Sequence, residues 1–193
     1  MLVEPLKRRT FALNTAFLAL ILLLQLSGVL DGINKAVMSE IPLVEGAFMT
    51  FLTALGGNAA LGAFVVLVLL SDVRKDGRLS RETLAFLLAL IAGLFIVASL
   101  KVLIGEPRPR PLPSADFLSE GAFPSGHTFR AAMIAAYVSD RWKKLAPLAW
   151  TYAVGIALTR LLLHYHWPSD VLFSLFLAPW VYSVAKAVVG VRR

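Results

Sequence analysis

The sequence predicts an all-α, polytopic membrane protein: a bundle of six transmembrane helices forming a single domain over residues 1–193. Three observations predict it. Hydrophobic residues make up 58% of the chain and the mean hydropathy is +0.75, far more than one soluble core of this length absorbs. Apolar runs of membrane-spanning length recur along the chain with only short connections between them. Basic residues collect in alternate connections, as the positive-inside rule requires.

The first span is expected over 11–30. Its basic lead, Lys7-Arg8-Arg9, has the look of a signal peptide, but an apolar stretch of about 20 residues exceeds an h-region of about 7–15, and no small-x-small cleavage site follows. It is read as retained. The segment 31–49, DGINKAVMSEIPLVEGAFM, is too interrupted to span and reads either as a short interfacial helix or as a loop. Spans two and three are expected over 50–70 and 83–104. On the third, Ala85, Ala89 and Gly93 recur every four residues, which marks close helix packing. The fourth, 126–140, is the weakest by hydropathy, because only Ala131–Val138 is free of charge. Spans five and six follow over 145–163 and 170–190. Asn14, Gln25 and Asn58 read as interhelical hydrogen-bonding groups, and Trp142 and Trp167 as boundary anchors.

Charge decides for the fourth span. With six crossings, thirteen of the nineteen basic residues fall on one side: Lys7, Arg8 and Arg9; Arg74, Lys75, Arg78 and Arg81; Arg141, Lys143 and Lys144; Lys186, Arg192 and Arg193. Both termini are then cytoplasmic; without the fourth crossing Arg141, Lys143 and Lys144 would move outside and weaken the bias. The net charge of +7 is thereby a matter of topology, with no nucleic-acid partner implied. The absence of cysteine excludes disulfides, thiolate nucleophiles and Cys-rich metal sites.

The other six basic residues, Lys35, Lys101, Arg108, Arg110, Arg130 and Arg160, lie on or near the opposite side, and five of them accompany all three histidines. Charge near a bilayer needs a partner or a wet cavity, so an anion site is the physical reading. Three clusters carry it. In KVLIGEPRPRP, prolines 107, 109, 111 and 113 deny a helix and stiffen the loop holding Arg108, whose guanidinium grips two phosphate oxygens at once, with Lys101 nearby. In PSGHTFR, Ser125 is suited to N-cap the fourth span, Gly126 permits close backbone approach, and His127 stands in the first turn, where free amides and the helix dipole favour phosphate. Arg130 either extends the cationic lining or pairs with a headgroup or an acid. In TRLLLHYHWPSD, Asp170 is spaced to fix the tautomer of His166 beside Arg160, leaving the other ring nitrogen as nucleophile or base. His164 rivals His166 by proximity to Arg160 and is read as structural. Taken singly, each cluster also fits an interfacial or solvated loop; three on one face do not. Asp116, Glu106 and Glu120 are scattered, and no acidic set looks like a two-metal site.

Lys-x6-Arg-Pro at 101–109, Pro-Ser-Gly-His at 124–127 and Arg-x5-His-x3-Asp at 160–170 resemble, in order and spacing, the three signatures of the type 2 phosphatidic acid phosphatase (PAP2) superfamily. The match covers the C-terminal two-thirds, and Thr159 stands where the third signature usually has serine. The resemblance implies a six-helix enzyme of the cell membrane that hydrolyses a lipid phosphate or diphosphate, of phosphatidate, phosphatidylglycerophosphate or polyprenyl type, without metal or other cofactor. His166 would become a phosphohistidine, Asp170 would orient it, and His127 would protonate the leaving oxygen. Lys101, Arg108, Arg160, Ser125 and Gly126 would hold the phosphoryl group, on the extracytoplasmic side. A lipid-linked phosphotransferase using the same histidine is the nearest alternative; an anion transporter, a more distant one, lacks paired interrupted helices or an inverted repeat.

Overall fold

The computed structural model describes residues 3–112 and 120–191, and the side chains from residue 8 onward. Pro113, Asp116, Arg192, Arg193 and the side chain of Lys7 lie outside the described residues. The described elements are all helical: α1 (Val3–Leu26), α2 (Val29–Ser39), α3 (Ala47–Ala54), α4 (Asn58–Asp76), α5 (Arg81–Ile104), α6 (Gly126–Arg141), a 3-10 turn at Lys143–Leu145, α7 (Ala146–Leu162) and α8 (Pro168–Val189).

Four of these units, ending in α1, α5, α7 and α8, are long and apolar enough to cross a membrane, and α3 with α4 makes a fifth, bent by 40°. The bend is the main departure from the expected second span. At Leu55-Gly56-Gly57 the amides turn back to carbonyls three residues earlier, those of Leu52, Thr53 and Ala54, and two successive glycines let the helix break there. Packing demands it as well: a Cβ on Gly56 would stand 2.6 Å from Ile156 Cγ2 and 3.4 Å from His127 Cβ. The interrupted segment after the first span contains a true helix, α2, and an extended stretch whose Val44 N–H donates to the Leu162 carbonyl at 2.8 Å.

Helix α6 is 16 residues, about 24 Å at 1.5 Å per residue, against a hydrocarbon core of about 30 Å. By length and composition it falls short of a span. Its position explains why: it packs against α4, α5, α7 and α8, and Ala131 through Val138 are all buried. A helix shielded by its neighbours does not need an apolar surface facing lipid. Gly93 lets α5 approach it, because a Cβ there would overlap the Phe129 ring; Ala85 and Ala89, one and two turns away, are fully buried.

The connections sort into two ends. At one, buried Asp72 receives Arg141 at 3.1 Å and the Ser80 N–H at 2.8 Å, while Asp140 receives Lys186 and the Tyr182 hydroxyl, each at 3.1 Å. At the other, Asn34 of α2 donates to Ser169 Oγ at 2.8 Å, and Ser169 Oγ donates to Gln25 of α1 at 3.3 Å. Midway along α1, Asn14 donates to the Phe176 carbonyl of α8 at 3.2 Å, so Asn14 and Gln25, two of the three polar groups expected between helices, do join them. This second end carries the histidines.

Candidate active site

Helix α5 delivers Lys101 in its last turn, and Gly105, with φ 60°, ends the helix and sends the chain into the proline-rich loop. Lys101 is buried, and its ammonium donates to the carbonyls of Gly121 at 2.6 Å and Ala122 at 3.1 Å. Arg108 donates to the carbonyls of Glu120, Gly121 and Tyr165. Two cations from the first cluster thus share the carbonyl of Gly121. A side chain at 121 would lie 2.6 Å from the Lys101 carbonyl, so only glycine lets these strands of backbone meet.

Ser125 caps α6 as expected, its Oγ accepting from the Thr128 amide at 3.5 Å and from the Thr128 hydroxyl at 3.0 Å. Its own N–H donates to the Asp170 carbonyl at 3.2 Å, which fastens the start of α6 to the first turn of α8. The amides of Gly126 and His127 then have no partner within the helix. A Cβ on Gly126 would meet Arg130 and Val97 only at ordinary contact distance, so no protein neighbour demands glycine there.

Two imidazoles face this region, and an arginine fixes the tautomer of each. His166 Nδ1 lies 3.0 Å from Asp170 Oδ2 and its Nε2 lies 3.0 Å from Arg108 Nη1. A guanidinium has no acceptor, so Nε2 accepts and the ring proton sits on Nδ1, donated to Asp170. Asp170 Oδ2 also accepts the Trp167 N–H at 2.9 Å. The ring is 1% exposed, and burial first, then Lys101, Arg160 and Arg108, hold His166 well below the ordinary histidine range. His127 is the reverse: Arg130 Nη2 lies 3.2 Å from its Nδ1, so the proton is on Nε2. Arg130 therefore meets an imidazole instead of an acid and stays among the cations of this end; its Nε donates to the Gly56 carbonyl at 3.0 Å, in the break between α3 and α4.

Arg160 is buried, donates to Thr53 Oγ1 at 2.8 Å and lies 4.9 Å above the Tyr165 ring, while its buried Nε has no hydrogen-bond partner. His164 turns away. It sits at φ 56°, where the Tyr165 and His164 amides close on the carbonyls of Arg160 and Leu161, and its Nε2 lies 3.0 Å from the Ile41 carbonyl. That is the left-handed helix terminator usually given to glycine, and it aims His166 back at the site. Trp167 Nε1 ties the same turn to the Pro107 carbonyl at 2.8 Å.

The eight residues expected to act on a phosphoryl group, Lys101, Arg108, Ser125, Gly126, His127, Arg160, His166 and Asp170, therefore lie at one end of the bundle. The sequence reading missed Gly121, Thr53 and Gly56, which act through backbone or a single hydroxyl far along the chain, and it set Glu106 among scattered acids. Among the described residues no group of three or more His, Asp or Glu is arranged to hold a metal ion. A cavity of about 320 Å³ lined by Lys101, Glu106, Glu120 and Gly121 adjoins the site. A larger one, about 830 Å³, lies at the opposite end between Asp76 and Arg141, remote from every histidine, so volume alone does not locate the chemistry here.

Solved structures share this fold. A transmembrane PAP2-type phosphatidylglycerolphosphate phosphatase from Bacillus subtilis superposes with a TM-score of 0.76 at 20% identity, over 93% of this chain and 97% of that one. LpxE from Aquifex aeolicus gives a TM-score of 0.58 at 23% identity, over 72% and 84%. The PAP2 superfamily model matches residues 82–192, which include all three clusters. With more than half of its length matched, and with the fold to correspond, the chain belongs to the PAP2 superfamily and is a multi-pass membrane enzyme of the PAP2 phosphatase type.

Proposed function

We propose that the protein, acting as one domain, hydrolyses a lipid phosphate or diphosphate through a phosphohistidine on His166. The observation that carries this reading is the His166 ring: Nδ1 is tied to Asp170, and Nε2 meets Arg108 among buried cations that rest on neutral oxygens. An incoming phosphoryl group takes Arg108, Lys101, Arg160 and the amides of Gly126 and His127 as its oxygen ligands, which frees the Nε2 lone pair for phosphorus. The N–P bond forms as the P–O bond to the lipid breaks. His127 gives the departing oxygen its proton from Nε2. The bound anion favours a second proton on that ring, at Nδ1, in place of the Arg130 contact; Arg130 keeps the Gly56 carbonyl. Water, deprotonated by His127, then attacks phosphorus and the N–P bond breaks.

Phosphoryl transfer is loose, with charge on the peripheral oxygens, so positioned cations do the main work and the reaction is independent of added metal. The likeness to a phosphatidylglycerolphosphate phosphatase supports a lipid substrate, whether glycerolipid or polyprenyl. The basic residues at the far end support cytoplasmic termini, six crossings including α6, and a site opening on the extracytoplasmic face. The test is phosphate release from phosphatidate, phosphatidylglycerophosphate, and polyprenyl mono- and diphosphates by purified protein with chelator present. Release by wild type, with an acid-labile phosphoenzyme absent from His166→Ala, is expected. Phosphate appearing on an added acceptor instead of in solution would make it a phosphotransferase.

A further inference from the structure

Two buried carboxylate oxygens at this end have no donor: Asp170 Oδ1 and Glu106 Oε2. They belong to groups within hydrogen-bonding reach of one another. Two acceptors facing each other in a dry interior are each costly, and each loses its deficit if one proton lies between them. The proton is assigned to Glu106 because two donors, His166 Nδ1 and the Trp167 amide, already converge on Asp170 Oδ2 and favour the ionised form of that carboxyl.

We propose that Glu106 is a protonated carboxylic acid that donates through Oε2 to Asp170 Oδ1, making it a positioning residue for the nucleophile His166. Groups from four elements face it. Gln25 of α1 reaches the Glu106 carboxyl and is itself fixed by Ser169 of α8. The charged neighbours are Asp31 of α2, Lys101 of α5 and Asp170 of α8. Glu106 lies in the loop after α5, and burial first, with Asp31 adding repulsion, pushes its carboxyl up from the ordinary range, against the opposing hydrogen bonds of Gln25 and Asp170 and the pull of Lys101.

The arrangement deepens the phosphohistidine reading and rests on it for its catalytic meaning. With Oδ1 occupied by a donor, Asp170 is a pinned acceptor of limited basicity, so the Nδ1 proton stays on His166 while Nε2 attacks. As pH rises through the acid's raised value the shared proton is lost, two like charges meet, and the carboxylate behind His166 is dislodged. The acid form is the working one, so the effect belongs to the alkaline side of the profile.

Two variants separate this from simple packing. Glu106→Gln keeps a donor at the same place and cannot ionise; kcat should remain within about threefold of wild type, with the alkaline fall displaced upward or gone. Glu106→Leu leaves Asp170 Oδ1 bare; kcat should fall about 10- to 100-fold with KM little changed. Infrared spectra of the detergent-purified protein at neutral pH should contain a protonated-carboxyl C=O band that Glu106→Gln removes. If Glu106→Gln is as damaged as Glu106→Leu, or if the band is absent from wild type or survives the glutamine change, the proposal is wrong. Should the glutamine variant not fold, the wild-type band alone decides, its absence at neutral pH overturning the proposal. The spectrum does not depend on the reaction, so an active His166→Ala would sink the phosphohistidine reading while leaving the shared proton standing.

Discussion

Both ends of the helical bundle hold basic residues that are buried or half-buried, but they treat them differently. At the end holding Asp72 and Asp140, Arg141 and Lys186 each meet a carboxylate at 3.1 Å. At the histidine end, Lys101 lies on two carbonyls, Arg108 on carbonyls and an imidazole, Arg130 on a carbonyl and an imidazole, and Arg160 on a hydroxyl and an aromatic face. A carboxylate cancels a cation's charge; a neutral oxygen fixes its position and leaves the charge in place. The first end joins helices. The second keeps an electrostatic surplus suited to an anion, at a cost to stability that a bound phosphoryl group would offset.

Substitutions at the two ends should therefore divide cleanly between activity and stability. The largest effect is expected from His166→Ala, which removes the attacking nitrogen: phosphate release should fall by about 10⁴-fold or more, and the phosphoenzyme trapped from wild type by alkaline quench should be missing. His127→Ala should cost about 10²–10⁴-fold in kcat, and less with a substrate whose leaving group needs no proton, such as an aryl phosphate. Arg160→Met should lower kcat/KM by about 10²–10³-fold while holding or raising the detergent melting temperature, because it deletes a buried cation whose Nε lacks a partner. A variant with lower stability and intact activity would erase the distinction between the ends.

The converse experiment sits at the far end. Asp72→Ala strips the acceptor from Arg141 and from the Ser80 amide, so unfolding should become easier by about 3 kcal/mol in thermal melts, with turnover per folded molecule unchanged. The acid side of the kcat/KM profile sharpens the picture at the histidine end. Neutral His166 is the attacking form, and its value is held down by burial and cations, so the fall attributable to it should come below the ordinary histidine range near pH 6.5. The smallest effect should follow His164→Gly, within about threefold in kcat, since glycine accepts the left-handed turn and the ring only meets the Ile41 carbonyl.

The sequence shows much of this and conceals the rest for physical reasons. Motif spacing and charge asymmetry locate the histidines, Asp170 and three of the cations, because those features are local or follow from topology. What hydropathy underrates is α6, whose insulation is a property of four other helices. The 40° break, and with it Thr53 and Gly56 as seats for Arg160 and Arg130, depends on contacts over 70 residues apart and leaves no local trace beyond two glycines. Gly121 works through a carbonyl, an atom every residue has. Glu106 looks like one acid among several until the loop after α5 brings it to α8.

The insulation of α6 also bears on how the chain is made. A segment carrying Arg130, Asp140 and Arg141 offers the insertion machinery little reason to partition it into lipid as it leaves the ribosome. On the six-crossing reading, α6 waits for α7 and α8, synthesised later, before it is drawn into the bilayer as part of a preassembled group. A chain ending at residue 145 should leave Arg141, Lys143 and Lys144 on the extracytoplasmic side together with His127, and the completed chain should return those basic residues to the cytoplasmic side.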